Sequence, residues 1–237
     1  MTLAALVDVG ADLNFVEKQL QKLNVDESPS FSWSRVEKCG VSALKFGINI
    51  GKPSHSHRKL SDIYRLFDQS KLSPATDSIS RNIFEQVAKA EAKIHGMPVD
   101  AVHFHEVGAL DSIIDIVGIS AALETLEIEQ YMAAPIPLGI GMTTCAHGNY
   151  PIPALATLEI LKGVPIRKSD IEMELTTPTG AAVLMGIGAR FTKEFPEMIV
   201  ENIGYGAGDQ DLDNQPNVLR LILGQMVDEE HYSSESH

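Results

Sequence analysis

Residues 109–124 constrain the fold most, because this stretch has the length of a helix and is apolar on nearly every side. A helix that is apolar all round has to be buried by other elements. The segment nevertheless carries Asp111 and Asp115 one turn apart, so both carboxylates share one face, which Gly118 and Ala122 extend. Two carboxylates beside small residues on a buried helix indicate the wall of a pocket. The aliphatic residues of the segment are Leu110, Ile113, Ile114, Ile116, Val117 and Ile119.

Helical and strand-like patterns alternate along the rest of the chain without a regular strand–helix–strand rhythm. We therefore expect an α+β fold of mixed helices and short hairpins, with a single large domain at residues 1–223 and a disordered acidic tail at 224–237. Ser61 is the expected N-cap of one helix. Further helices are predicted near residues 5–9 and at 12–23, 61–67, 154–161 and 178–191, and a longer one begins at Pro74 or Asp77 and ends at Gly96. Strands are predicted at 31–38, 41–50, within 131–150, and at 198–205 and 217–223.

The charge and the cysteine count narrow the class of protein. A net charge of −13 opposes binding to nucleic acid and to anionic membranes. No apolar run approaches the length that crosses a bilayer, and the first residues lack the features of a signal peptide. Cys39 and Cys145 do not make a disulfide framework, which agrees with a reducing compartment, so we expect a cytoplasmic protein.

Two pairs of histidines have the spacing of a metal site. In an extended segment His103 and His105 share one face, with Val102 and Phe104 on the other, and Glu106 follows as a base or as an orienting group. The alternative is a half-buried strand with a solvent-exposed polar face, but the nearby Asp111 and Asp115 favour a metal site. The second pair, His55 and His57, has the same spacing; its alternative is a solvated basic loop.

A third pair, Cys145 and His147, replaces one imidazole with a thiol. A small buried cysteine is also a common core residue, so a ligand or reactive role and a packing role both stay open. A thiolate with an imidazole suits Ni²⁺, Zn²⁺ or Cu²⁺ rather than Mg²⁺. Together the three pairs predict a protein that handles a transition metal.

Two further segments are candidates for holding a phosphate or another ligand. Thr177 is a good N-cap before a proline, and the run of Thr176, Thr177, Thr179 and Gly180 opens a helix whose N-terminus attracts phosphate. Simple capping explains Thr177 equally well. In residues 204–208 the alternating glycines, including Gly206 and Gly208, allow a ligand to approach the backbone; a bulged strand end is the alternative.

Taken together, these segments resemble the LarC family of nickel-insertion proteins. The matching stretches are residues 55–63, 90–96, 102–116, 145–148, 174–180 and 203–208, and the resemblance covers nearly the whole chain up to Gly224. It implies a CTP-dependent cyclometallase of the lyase class. Such an enzyme places Ni²⁺ in the pyridinium-3,5-bisthiocarboxylic acid mononucleotide and so forms the nickel-pincer cofactor of lactate racemase.

The resemblance implies roles for the candidate residues. The nickel ligands are then His55, His57, His103, His105 and His147. The residues that act on the substrate are Glu106, Asp111, Asp115 and Cys145. The residues that bind the mononucleotide are Thr176, Thr177, Thr179, Gly180, Gly206 and Gly208.

The sequence departs from the family pattern at both ends. Family members begin with a short strand and a Gly-Asp turn, so the N-terminus is expected to be clipped; they also carry a C-terminal nucleotide-binding region, to which we assign CTP. The expected partners are the mononucleotide, such a companion region or a full-length form, and the lactate racemase apoprotein; a homo-oligomer stays open. One alternative is a nickel carrier or store without its own catalysis. The other is a metal-dependent hydrolase that uses His103, His105, Asp111 and Asp115.

Overall fold

Helices and strands follow one another irregularly in this α+β domain. A computed structural model describes residues 1–25, 28–51, 58–104, 107–145 and 148–227. For Thr144 and Cys145 it describes the backbone alone. The α-helices of these residues are α1 (Thr2–Val9), α2 (Leu13–Gln21), α3 (Leu60–Ser70), α4 (Pro74–His95), α5 (Leu110–Leu126), α6 (Leu155–Ile160) and α7 (Pro178–Gly186). The first strands are β1 (Ser30–Lys38), β2 (Val41–Asn49), β3 (Arg58–Lys59), β4 (His103–Phe104), β5 (Met132–Ala133) and β6 (Ile136–Leu138). The others are β7 (Met142–Cys145), β8 (Gly148–Pro151), β9 (Ile166–Lys168), β10 (Arg190–Phe191), β11 (Met198–Ala207) and β12 (Val218–Met226).

The predicted buried helix is α5, and it lies at the centre of the core. Helices α1, α2, α4 and α7 all contact it. Gly118 and Ala122, expected to extend a pocket wall, are instead covered: a Cβ on Gly118 would meet the side chains of Leu3 and Leu20. The exposed part of this face is therefore its first turn, with Asp111, and Asp115 lies between that turn and the covered part.

A four-stranded sheet covers one side of this core, in the order β1-β2-β11-β12. The predicted hairpin is confirmed, with β1 and β2 antiparallel around Cys39 and Gly40, while β2 and β11 are parallel through Gly206 and Leu44. Asp8 of α1 binds the sheet with both carboxylate oxygens. It accepts a hydrogen bond of 2.8 Å from the Tyr205 N–H and pairs with the Arg35 guanidinium.

Alternating glycines let α1 lie directly on β11. A Cβ at Gly204 would overlap the backbone of Ala5 and Val9, and one at Gly206 would overlap Met1 and Ala5. Only a strand without side chains on this face allows so close an approach of the helix backbone. These glycines thus have a packing function, whatever else they contact.

Glu124 of α5 caps the long helix α4. Its Oε2 accepts hydrogen bonds from the Thr76 N–H at 3.0 Å, from the Thr76 hydroxyl at 2.6 Å, and from the Ser73 hydroxyl. These bonds satisfy donors that the first turn of a helix leaves without intrahelical partners. Since Ser73 and Thr76 lie far from Glu124 in the sequence, the cap fixes the two central helices against each other.

Several boundaries differ from those predicted. Ser61 is not the N-cap of α3: Lys59 is, because its N–H donates to the Asp62 carboxylate at 3.0 Å. Helix α7 ends at Gly186 rather than at residue 191, since glycines interrupt it and Phe191 pairs with Ala133 in β10 and β5. Strand β12 continues to Met226, past the expected start of the tail at residue 224.

None of the described helices combines the length and the apolar composition needed to cross a membrane.

We expect the Glu124→Ala variant to lower the free energy of unfolding by about 1–3 kcal/mol, because it leaves the Thr76 donors without a buried acceptor. Glu129→Ala, at an exposed position beyond the end of α5, is the control and should change stability by less than about 0.5 kcal/mol. Urea unfolding followed by circular dichroism measures both. Equal effects of the two substitutions would contradict the capping role.

Candidate functional site

A short antiparallel ladder brings together the two segments that carry the histidine pairs. Strands β3 and β4 pair Arg58 with Phe104 and Lys59 with His103. In the sequence His57 immediately precedes Arg58, and His105 immediately follows Phe104. The fold therefore joins two motifs that lie far apart in the chain.

The predicted alternation around His103 is confirmed for the described residues. Val102 and Phe104 are buried, and Phe104 packs at 6.1 Å from the ring of Phe84 in α4, whereas His103 is exposed. Burial of the two apolar neighbours fixes the strand in the core. The imidazole of His103 is then presented outward on a rigid backbone.

The same ladder is tied to the start of α5. The Arg58 guanidinium donates to the Gly108 carbonyl at 2.9 Å. Gly108 in turn packs on Phe104, where a Cβ would come within 2.7 Å of the Phe104 Cβ. The histidine segment and the first turns of α5 therefore form one local unit, although the structure assigns no contact between His103 and the carboxylates.

The two predicted carboxylates of α5 lie in different environments. Asp111 is exposed in the first turn, and its Oδ1 accepts from the Ser112 N–H. Burial raises the pKa of the Asp115 carboxyl to about 6, because desolvation disfavours the charged form. The ammonium group of Met1 opposes this rise, while Asp111 and Asp209 add to it. Asp115 can therefore gain or lose a proton close to neutral pH, as a general base must.

Asp209 is a charged neighbour that the sequence did not point to. It follows the glycine-rich end of β11, and the Lys45 ammonium, 2.9 Å away, holds the pKa of its carboxyl below the usual range. The buried Lys38 fixes the same loop through the Asp211 carboxylate at 2.6 Å and the Asp209 carbonyl at 3.3 Å. Two lysines thus fix an ionised carboxylate near Asp115. No local signal predicts this arrangement, since the lysines and the loop are joined only by the sheet.

The predicted phosphate-binding turn is a well-capped helix start. Thr177 accepts from the Gly180 N–H at 3.2 Å, and Thr176 donates its hydroxyl to the Pro137 carbonyl at 2.8 Å. Pro178 has no N–H, so the N–H of Thr179 is the remaining donor among the first helical positions for an anion at this end of α7. Capping therefore accounts for most of this motif, and a phosphate would find fewer free donors than the sequence suggested.

The glycines after Tyr205 are already in contact with protein. Gly206 lies under α1, and a Cβ at Gly208 would meet Asn217 and the Met1 sulfur. Their binding role stays a prediction, since close packing does not exclude a ligand at the neighbouring loop.

Several predicted site residues lie outside the described part of the chain. These are His55, His57, His105, Glu106 and His147, together with the side chain of Cys145. Within the described ranges, no three His, Cys, Asp or Glu side chains are placed to hold a metal ion. His103 is thus the one predicted nickel ligand whose position the structure gives.

The comparisons with known proteins point to one family. A family model described as "Nickel insertion protein" matches residues 1–237. A relative from Geobacillus kaustophilus, named pyridinium-3,5-bisthiocarboxylic acid mononucleotide nickel insertion protein, is 46% identical over 234 residues. Relatives with the same name are 48% identical over 222 residues in Staphylococcus epidermidis and 45% identical over 230 residues in Desulfitobacterium hafniense. The resemblance found in the sequence motifs is therefore confirmed.

The shared region is nearly all of this chain but only part of each relative. The match covers 95% of this chain and 56% of the Geobacillus protein, 94% and 55% for Staphylococcus, and 97% and 56% for Desulfitobacterium. The chain thus spans little more than half the length of these curated relatives. No solved structure matches the chain.

We expect Asp115→Asn to stabilise the protein at pH 7.5 by about 1–3 kcal/mol relative to the natural chain. The folded pKa is raised, so ionisation of Asp115 costs stability as the pH rises from about 4 through about 6. The difference between variant and natural chain should accordingly vanish below about pH 4. Chemical unfolding at a series of pH values measures it.

Asp111→Asn is the matched control, since it makes the same change one turn earlier at an exposed position. It should shift stability at pH 7.5 much less than Asp115→Asn does, because Asp111 is exposed. A stability difference for Asp115→Asn that stays constant from pH 4 to pH 8 would show that Asp115 does not titrate as described.

Proposed function

The chain belongs to the nickel insertion protein family, and we propose that it is the nickel-handling portion of an enzyme that inserts Ni²⁺ into the pyridinium-3,5-bisthiocarboxylic acid mononucleotide. The relatives are named for this substrate. The product is the nickel-pincer cofactor of lactate racemase, and the enzyme is a chelatase of the cyclometallase type. We place it in the cytoplasm, where a reducing environment keeps thiols and thiocarboxylates free.

The pairing of β3 with β4 is the observation that carries this proposal. His57 and His105 are each one peptide bond from a residue of that ladder, and His103 is part of it. We propose that imidazoles from both motifs bind one Ni²⁺ ion, with His55 as a further ligand. Cys145 and His147 would complete the set of ligands or pass the nickel ion on, since thiolate and imidazole both suit nickel.

Insertion of nickel into the ring needs a base. The carbon–nickel bond forms as the ring carbon–hydrogen bond breaks, so a proton has to leave the ring carbon. Asp115 is suited to accept it, because its pKa of about 6 leaves the carboxylate mostly ionised at neutral pH yet basic enough to take a proton. Glu106 is the second candidate for this step, and Asp111 and Asp209 would favour the approach of a cation.

We assign the mononucleotide phosphate to the start of α7, where the Thr179 N–H is the donor that capping leaves for an anion. The start of α7, with Thr176, Thr177, Thr179 and Gly180, combines a helix N-terminus with hydroxyl groups. Gly206 and Gly208 are assigned to the same substrate. For CTP the residues do not fit: the sequence contains no Gly-x-x-x-x-Gly-Lys-Ser/Thr loop. We assign CTP to the region that the longer relatives carry outside the match.

We expect His103→Ala to weaken Ni²⁺ binding by at least about tenfold, or about 1.4 kcal/mol, because it removes an exposed ligand from the ladder. His95→Ala is the control: His95 lies in the last turn of α4, with its Nε2 3.2 Å from the Glu91 carboxylate, and should leave affinity nearly unchanged. Competition with a chromogenic chelator measures both constants. Equal affinities of the two variants and the natural chain would remove His103 from the ligand set.

The function itself is tested by complementation. The full-length Geobacillus relative would carry alanine at the position aligned with His103, and would be mixed with this chain, Ni²⁺, CTP and the metal-free mononucleotide. We expect the nickel-containing product, detected by mass spectrometry, from the mixture but from neither protein alone. A chain that binds nickel stoichiometrically yet yields no product in the mixture would favour the alternative, a nickel carrier or store.

A further inference from the structure

One end of the β11–β12 hairpin extends beyond the rest of the sheet. Since Gly206 of β11 is parallel to Leu44 of β2, Val41 at the start of β2 stands opposite Ile203. Residues 198–202 therefore have no β2 neighbour, and β12 is itself the outer strand of the sheet. We call residues 198–203 and 222–226 the open ribbon; its β11 edge lacks a strand partner among the described residues up to Asn202, and its β12 edge lacks one throughout.

The open ribbon is apolar and exposed. Ile199 and Val200 are each 45% exposed, Ile203 47% and Met226 46%. Helix α1 does not cover it, because α1 ends at Val9, level with Gly204. A two-stranded ribbon is at best marginally stable in water, and exposed apolar strands favour association with other strands.

The open ribbon has a register shift between Val200 and Asn202, but its sequence lacks the side chains that usually protect a free edge. Natural edge strands carry lysine or proline that oppose pairing with another strand. The ribbon residues, Met-Ile-Val-Glu-Asn-Ile and Ile-Leu-Gly-Gln-Met, contain neither, and Glu201 is their only charged side chain. Such edges are compatible with an added strand as a regular partner.

We propose that the open ribbon is the docking surface for the region that the longer relatives carry outside the match. The match leaves 44% of the Geobacillus protein (100 − 56) for such a region. The Val227 N–H donates to the Glu197 carbonyl at 3.1 Å, so the last described residue lies beside the ribbon. A region that belongs to the same polypeptide is held at high effective concentration and needs only a modest contact to dock.

A second copy of this chain is the alternative occupant of the open ribbon. Each chain has a net charge of −13, so two copies repel each other and self-association has an unfavourable electrostatic term. The inference does not depend on the nickel chemistry, and its test needs no activity measurement.

Hydrogen exchange compares this chain with the full-length Geobacillus relative. Amides of the ribbon should exchange at least about tenfold more slowly in the relative, since an added strand and apolar cover protect them. The segment of α5, Leu110–Leu126, is the internal reference, and the ribbon rate in each protein is divided by the α5 rate of that protein before the two are compared. Equal exchange of the ribbon in the two proteins would overturn the proposal.

Matched substitutions locate the contact. In the full-length relative, lysine at the position aligned with Ile199 should abolish the extra protection of the ribbon. Lysine at the position aligned with Leu158 is the control, because Leu158 of α6 is also 45% exposed. Protection that survives the first substitution would overturn the proposal.

Sedimentation of this chain alone, natural and Ile199→Lys, tests the other occupant. We expect a monomer in both cases. A dimer that the Ile199→Lys substitution dissociates would assign the ribbon to a second copy and overturn the proposal.

Discussion

Burial of α5 on all sides is the constraint on which the rest of the structure depends. A helix with so many aliphatic residues can be accommodated only if helices pack around it and a sheet closes the layer beyond α1. Gly118 allows Leu3 of α1 to approach, and Glu124 at the other end of α5 caps α4. The first turn leaves Asp111 exposed, and Asp115 lies one turn further in, where the core desolvates it. The same burial that builds the core thus places two acids at its edge.

The elements with local signals were predictable. Asp12 accepts from the amides of Asn14 and Phe15 as an N-cap should, Pro74 begins α4, and Gly96 ends it in a left-handed conformation. The hairpin around Cys39 and Gly40 was equally clear. In each case the residues that determine the boundary are neighbours in the sequence.

The remainder depends on contacts between distant residues, which a single sequence does not reveal. The glycines of β11 suggested a ligand, yet α1 occupies the space above them, and only the sheet order shows this. The ion pair of Asp209 with Lys45 was not predictable, because only the sheet brings these two residues together. For the site itself, the alternation around His103 was predicted correctly, whereas the pairing of its strand with Arg58 and Lys59 was not foreseen. Short strands of two residues carry too little pattern to be recognised.

The position of the Met1 ammonium has a practical consequence for protein production. Its positive charge lowers the pKa of Asp115, although burial dominates. Acetylation, or an affinity tag fused ahead of Met1, converts this ammonium into a neutral amide. The pKa of Asp115 would then rise further above its ordinary value, and Asp115 would be a weaker acid in a tagged preparation than in an untagged one. A purification handle placed after His237 leaves the Met1 ammonium in place and avoids this change.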